Sequence, residues 1–204
     1  MKTLVTFSGI FLGLACTVIF AQNSVDTQIS EAEAAYERED YEAARLAAQE
    51  AINGLNTLIA NEILQLLPEN IGELDADTDQ DSYTGQVMGV NNLFVNRQYQ
   101  SSDGEKKLEF ELINDSPMLT IVNSFITSPL SGLMRDENQS VVRVAGYKAM
   151  LEHNTEGEVP EMTLSLPFGG SSLLIFRYVN YDSEEEVLGL TEQIPIKEIV
   201  EVAE

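Results

Sequence analysis

The chain predicts an α+β fold: an N-terminal helical hairpin followed by a mostly antiparallel sheet with helices packed on one face. Three observations carry that reading. Leu108, Phe110 and Leu112 alternate with Lys107, Glu109 and Glu111, which is the period of two of a half-buried strand. Met118, Ile121, Val122, Phe125 and Ile126 recur at i, i+3, i+4, i+7 and i+8, the single apolar stripe of a helix laid across a sheet. From Val25 to about Leu67 the pattern is helical throughout, with a turn at Glu39-Asp40.

At the N-terminus Lys2 precedes an apolar run from Leu4 to Phe20 that ends in Ala21 before Gln22. A basic head, an apolar segment and a small residue at the exit describe a secretory signal peptide, residues 1–21, with cleavage expected after Ala21. The expected address is periplasmic or secreted. Cys16 raises the alternative of a lipoprotein, but Gly13 stands where a lipid-attachment box takes a branched apolar residue. No later segment is apolar for long enough to span a bilayer, so no membrane span is expected in the mature chain. Cys16 is the only cysteine, and an internal disulfide is therefore excluded.

Residues 22–67 form the expected hairpin. Ala32, Ala35 and Tyr36 make one apolar face, and Tyr41, Ala44, Ala48, Ala51, Ile52 and Leu55 make the other. The string Ala35-Tyr36-Glu37-Arg38-Glu39-Asp40-Tyr41-Glu42-Ala43-Ala44, followed by Ala48, Ala51 and Ile52, resembles one tetratricopeptide unit. In that family, small residues at the positions of Ala32, Ala44 and Ala51 let two antiparallel helices approach closely. Gln28, Glu31 and Ala48 depart from its bulky, leucine and late aromatic positions, and no second copy follows.

Pro68 ends the second helix. Residues 68–82 then read as an acidic linker, with Asp75, Asp77, Asp79 and Asp81 at every second position. Alternating aspartates are also what a calcium loop uses, because hard Ca²⁺ takes several oxygen ligands. The match departs at Gln80 and Gln86, or at Ser82 and Met88 in the other frame, where glycine and the closing glutamate belong.

Residues 83–204 form the expected α+β domain. Phe94 to Tyr99 and Lys107 to Ile113 make a hairpin around Ser101-Ser102-Asp103-Gly104. Asp115 or Ser116 caps the helix that opens at Pro117. After a loop from Ser128-Pro129 to Asn138, strands follow at Val141–Val144 and Tyr147–His153, joined at Ala145-Gly146. Two more lie at Met162–Leu166 and Leu173–Val179, with Gly169-Gly170 as their turn; the last is apolar on both faces and hence central. Ser183 with Glu186 makes a capping box for a helix carrying Val187, Leu190 and Ile194. Pro195 ends it, and a short helix from Lys197 to Val202 closes the chain. The domain is similar to the Mog1/PsbP-like class of secreted sheet-and-helix modules. Asp115-Ser116-Pro117-Met118-Leu119, with Ser128-Pro129 one helix later, resembles exported Gram-negative proteins of unknown function, and that resemblance implies a periplasmic address.

Composition narrows the chemistry. A net charge of −23 offers no basic stripe for phosphates, so no nucleic acid partner is expected. With one histidine, His153, and no mature cysteine, a His/Cys zinc site or a cysteine nucleophile cannot form, and a Ser-His-Asp set would have to use His153. His153 ends a strand beside Asn154-Thr155-Glu156-Gly157 and reads as a surface residue. Gly169-Gly170-Ser171-Ser172 is too short to cradle a phosphate. Tyr83, Tyr99, Tyr147, Tyr178 and Tyr181 suit a sheet core or the lining of a cleft. Glu184-Glu185-Glu186 is a helix N-terminus favoured by the dipole. No catalytic residue and no cofactor are expected. The expected function is a non-enzymatic envelope protein that binds a partner protein or serves an assembly. The alternatives are a module for a small or apolar ligand and a carboxylate-dependent hydrolase, for which the 34 acidic residues single out no pair.

Overall fold

The computed structural model describes residues 11–84, 92–128, 138–154, 157 and 159–204. Lys2 and the basic head, Gln86 and Met88, the loop over 129–137, and Thr155-Glu156 lie outside the described residues. The chain divides at Leu58/Ile59 into two compact units. Among the described residues no helix is long and apolar enough to cross a membrane.

The first unit is a helical hairpin of α1 (Phe11–Glu37) and the start of α2 (Tyr41–Leu66). Glu39 adopts a left-handed φ of 61° at the turn, where the Asp40 amide bonds back to the Ala35 carbonyl at 3.0 Å. Asp40 Oδ1 then accepts from the Ala43 amide at 3.2 Å and starts α2. The buried seam consists of Val25, Ala35, Ala47 and Ala51. It is rotated from the expected apolar faces: Ala32 and Ala44 are half-buried, and Tyr36, Tyr41, Ala48, Ile52 and Leu55 are exposed. The reason is closeness of approach. A Cβ placed on Gly54 would lie 2.6 Å from Val25 Cγ2, so only small side chains fit between the helices.

The second unit holds an eight-stranded, wholly antiparallel sheet in the order β1-β2-β3-β4-β8-β7-β6-β5. Its strands are β1 (Asn70–Ile71), β2 (Leu74–Thr84), β3 (Phe94–Ser101), β4 (Lys107–Asn114), β5 (Gln139–Val144), β6 (Tyr147–Asn154), β7 (Glu161–Phe168) and β8 (Ser172–Val179). Helix α3 (Met118–Thr127) follows β4, and α4 (Glu184–Thr191) and α5 (Ile196–Ala203) follow β8. The fold is α+β, and every expected strand and helix from Phe94 onward is present. β8 takes the central place, between β4 and β7.

Two points differ from expectation. The stretch 68–82, expected as an acidic linker, falls largely in β1 and β2, which pair into the sheet. The helices also cover both faces rather than one, because the pleat divides the apolar residues between two cores. Leu108, Phe110 and Leu112 of β4 and Leu174, Phe176 and Tyr178 of β8 share the first face, all fully buried. Ala60, Ile63 and Leu67 cover it, together with Val187 and Leu190 of α4 and Ile196, Ile199 and Val200 of α5. On the opposite face Met150, Leu173 and Ile175 meet Val122 and Ile126 of α3. The α3 stripe is Leu119, Val122, Phe125 and Ile126, while Met118 and Ile121 are 43% and 65% exposed. Ser116 Oγ accepts from the Met118 amide at 3.3 Å, but Pro117 itself stands at the N-cap and α3 opens one residue later than expected, at Met118. Ser183 likewise accepts from the Glu186 amide and caps α4.

Candidate functional site

On the opposite face of the sheet the buried apolar cluster lies where α3 covers it. One residue pair further along the strands, the register aligns Asp77, Gln98, Glu109, Arg177, Thr163, Glu152 and Gln139 in a polar row from β2 to β5. The row is internally bonded. Arg177 Nη1 donates to Glu109 Oε2 in an ion pair, and Asn96 Nδ2 donates to Glu109 Oε1 at 3.0 Å. Gln139 Nε2 donates to Glu152 Oε1 at 3.1 Å. Asp77, Gln98, Gln100, Lys107, Glu109 and Arg177 line a depression of about 100 Å³ there. Glu111 lies two residues from Glu109 on the same face. Desolvation, with the Glu109 charge second, raises its pKa, and Arg177 opposes the rise.

Here Asp77 and Glu109 share a concave surface of the sheet, and the chemistry they offer is limited. Glu109 already accepts from an arginine and an asparagine, so both its oxygens are engaged. The depression is well below the roughly 300 Å³ at which ligand pockets begin. The row acts as a polar ladder that fixes strand register.

On the first face Arg97, 6% exposed, is the one buried charged residue among the described residues. It pairs with Asp81 through Nε at 2.8 Å and through Nη2, and its Nη1 donates to the Leu67 carbonyl at 3.2 Å. The hydrogen bonds that Arg97 donates to Asp81 raise its pKa further, against the opposing effect of burial. The Tyr99 hydroxyl donates to the Pro68 carbonyl at 3.0 Å, and burial pushes its pKa up to about 12. Together these two side chains satisfy the carbonyls of Leu67 and Pro68, just past the end of α2, and tie that segment to β3.

The four aspartates of the calcium reading do not converge. Asp75 accepts from Asn70, and Asp77 accepts from Gln80 at 2.6 Å. A register shift between Asp77 and Ser82 turns Asp81 to the other face, where Arg97 holds it, while Asp79 is exposed. Among the described residues no group of three or more His, Cys, Asp or Glu is placed to hold a metal. His153 pairs with Glu184 Oε1 at 2.9 Å at the surface. Tyr99, Tyr178 and Tyr181 are core residues, Tyr147 is half-buried, and Tyr83 is exposed.

A second surface belongs to the helical hairpin. A trough of about 430 Å³ runs between its helices, floored by Ala34, Ala35, Ala43 and Ala47 and edged by Glu31, Glu50, Arg38 and Leu46. Leu46 of its lining is 56% exposed, and outside the lining Ile29, Tyr36, Tyr41, Ile52 and Leu55 of the same hairpin are between 44% and 67% exposed. Tyr36 and Tyr41 meet edge to face across the turn, with ring centroids 6.0 Å apart. Sequence reasoning placed four of these side chains inside the hairpin. The signal that would have reversed it is Gly54 and the spacing of Ala47 and Ala51, which mark a seam too narrow for large residues. No family model matches the chain, and neither a curated protein nor a solved structure matches it.

Proposed function

We propose that the chain is a non-enzymatic interaction module of the cell envelope, and that its helical hairpin receives an apolar segment of a basic partner protein. One observation carries the reading. A hairpin that uses alanines to hold its own helices together turns six large apolar side chains outward. Fully burying one such side chain contributes roughly 1.5–3 kcal/mol, so covering three or four suffices for a specific complex after ordering costs. The acidic surroundings, Glu31, Glu33, Glu37, Glu42 and Glu50, select a partner carrying lysine or arginine beside its apolar residues. A second copy of the chain, also at −23, is disfavoured there by like charge. The engaged carboxylate of Glu109 and the small depression beside it support the non-enzymatic half of the reading.

Site-specific photocrosslinking in intact cells tests it. A crosslinking residue at Leu46 or Ile52 is expected to give one discrete adduct with a basic protein. The same group at Glu69 is expected to give none. Adducts equal to those of the Glu69 control would overturn the assignment of the hairpin as the docking surface.

A further inference from the structure

β5 is an edge strand, and its hydrogen bonds to β6 show which of its groups are unused. Val144 and Tyr147 close a two-residue turn in which Ala145 and Gly146 have φ values of 52° and 95°. Such a turn makes Val144 and Tyr147 a hydrogen-bonded pair, and every second pair along the ladder repeats it. The bond from the His153 amide to the Asn138 carbonyl, 2.7 Å, lies on the same parity. Even-numbered residues of β5 therefore bond inward, and the amide and carbonyl groups of Gln139, Val141 and Arg143 point away from the sheet. Among the described residues no strand takes them.

The two ends of the sheet are guarded differently. β2, near the other end, carries a register shift and a run of aspartates, both of which discourage strand addition. β5 has six residues, no proline and no bulge, and its Val141 is 40% exposed. Its one charge is Arg143, directly opposite Lys148 of β6 on the same face. Two like charges so placed repel, and neither has an ion-pair partner among the described residues, in a chain with 34 acidic side chains.

We propose that the β5 edge is a second docking surface, which accepts an extended acidic segment of another protein as a ninth strand. Main-chain bonds to Gln139, Val141 and Arg143 supply the affinity, and Arg143 with Lys148 selects acidic side chains on the partner. Self-pairing of β5 is the wrong occupant, because it brings two such cationic pairs together and joins two molecules of net charge −23. The proposal is independent of the hairpin surface.

The test uses the whole chain with two synthetic eight-residue peptides, one alternating valine with glutamate and one alternating valine with lysine. Binding is read from amide chemical shifts and fluorescence anisotropy at low salt. The acidic peptide is expected to bind and to shift the amides of Gln139, Val141 and Arg143 before any others. Val141→Pro removes one outward donor without touching an inward bond, and should weaken binding by about tenfold or more. Arg143→Glu with Lys148→Glu leaves the fold intact and should reverse the preference toward the lysine peptide. The proposal is overturned if both peptides bind equally, if neither binds, or if the double charge reversal leaves the preference unchanged. Sedimentation showing a dimer of the parent that Val141→Pro dissolves would also overturn it, in favour of self-pairing.

Discussion

Asp81→Ala should be the most damaging single change to a polar residue in the sheet unit. In the folded chain Asp81 takes hydrogen bonds from two nitrogens of Arg97, whose side chain is 7% exposed. Removing the carboxylate strands a guanidinium in the core, and breaking a buried pair from one side costs about 3–5 kcal/mol. The lower end applies, because the Asp81 side chain is 16% exposed and Nη1 keeps the Leu67 carbonyl. A loss of about 3 kcal/mol corresponds to a fall of roughly 6–12 °C in Tm for a unit the size of Ile59–Glu204. The companion variant, Asp81→Ala with Arg97→Met, removes both charges and forfeits the bond to Leu67, about 1 kcal/mol. It should therefore be more stable than Asp81→Ala alone. The chain has no tryptophan, so urea unfolding followed by far-UV circular dichroism is the assay. The reasoning fails if Asp81→Ala costs less than about 1 kcal/mol, or if the double variant is as unstable as the two single losses added together.

The remaining predictions follow from packing and titration. Gly54→Ala should destabilise the hairpin although alanine favours a helix by about 1 kcal/mol, and the sign should reverse in a Val25→Ala background, where the clashing methyl is gone. Helicity of the two pairs of variants on heating checks this. Val122→Ala should cost about 1.5–2.5 kcal/mol in chemical denaturation, while Ile121→Ser stays within about 0.5 kcal/mol, because only Val122 is buried under α3. Ser183→Ala should cost about 1 kcal/mol through the lost α4 cap, measured the same way. Glu111 has a folded pKa above its ordinary value of about 4.5, so the folded chain binds its proton more tightly than the unfolded chain. Its contribution to stability is fully present below that ordinary value and declines as pH rises toward the folded one. Glu111→Gln should therefore raise Tm by a few degrees at pH 7 relative to the parent, and the gap should close by pH 4. A gap that widens on acidification refutes the sign.

The sheet from β3 onward was legible because its signals are local. Leu108, Phe110 and Leu112 announce a face by alternation, and Gly146 announces a turn by its tolerance of positive φ. β2 was not legible for the opposite reason. Its stretch Asp75 to Asp81 carries no alternating apolar set, and the residue that anchors it inward is Asp81, whose partner Arg97 is 16 positions away. A buried ion pair replaces the hydrophobic signal there, and no periodicity reveals it. The number of faces covered was hidden too. A sequence states that the α3 stripe must be buried, but the pleat decides on which side, since Leu173 and Leu174 are both fully buried and belong to different cores.

The two proposed docking surfaces were hidden by the same logic, for they consist of what the fold leaves unsatisfied. Tyr41, Ile52 and Leu55 read as interior residues until the close contact of Gly54 with Val25 shows that the seam has no room for them. Arg143 reads as an ordinary solvated charge until the register places Lys148 directly across from it. Arg97, Lys106 and Arg177 each have a carboxylate in contact, as a chain so rich in acid would lead one to expect. Against that background a repelling cationic pair beside open main-chain groups runs counter to the stability of the isolated fold. Arg143→Glu alone should make a cross-strand ion pair with Lys148 and hold or raise Tm. A chain whose stability is maintained by losing a residue keeps that residue for something outside itself, and a fall in Tm of several degrees on Arg143→Glu would remove that argument.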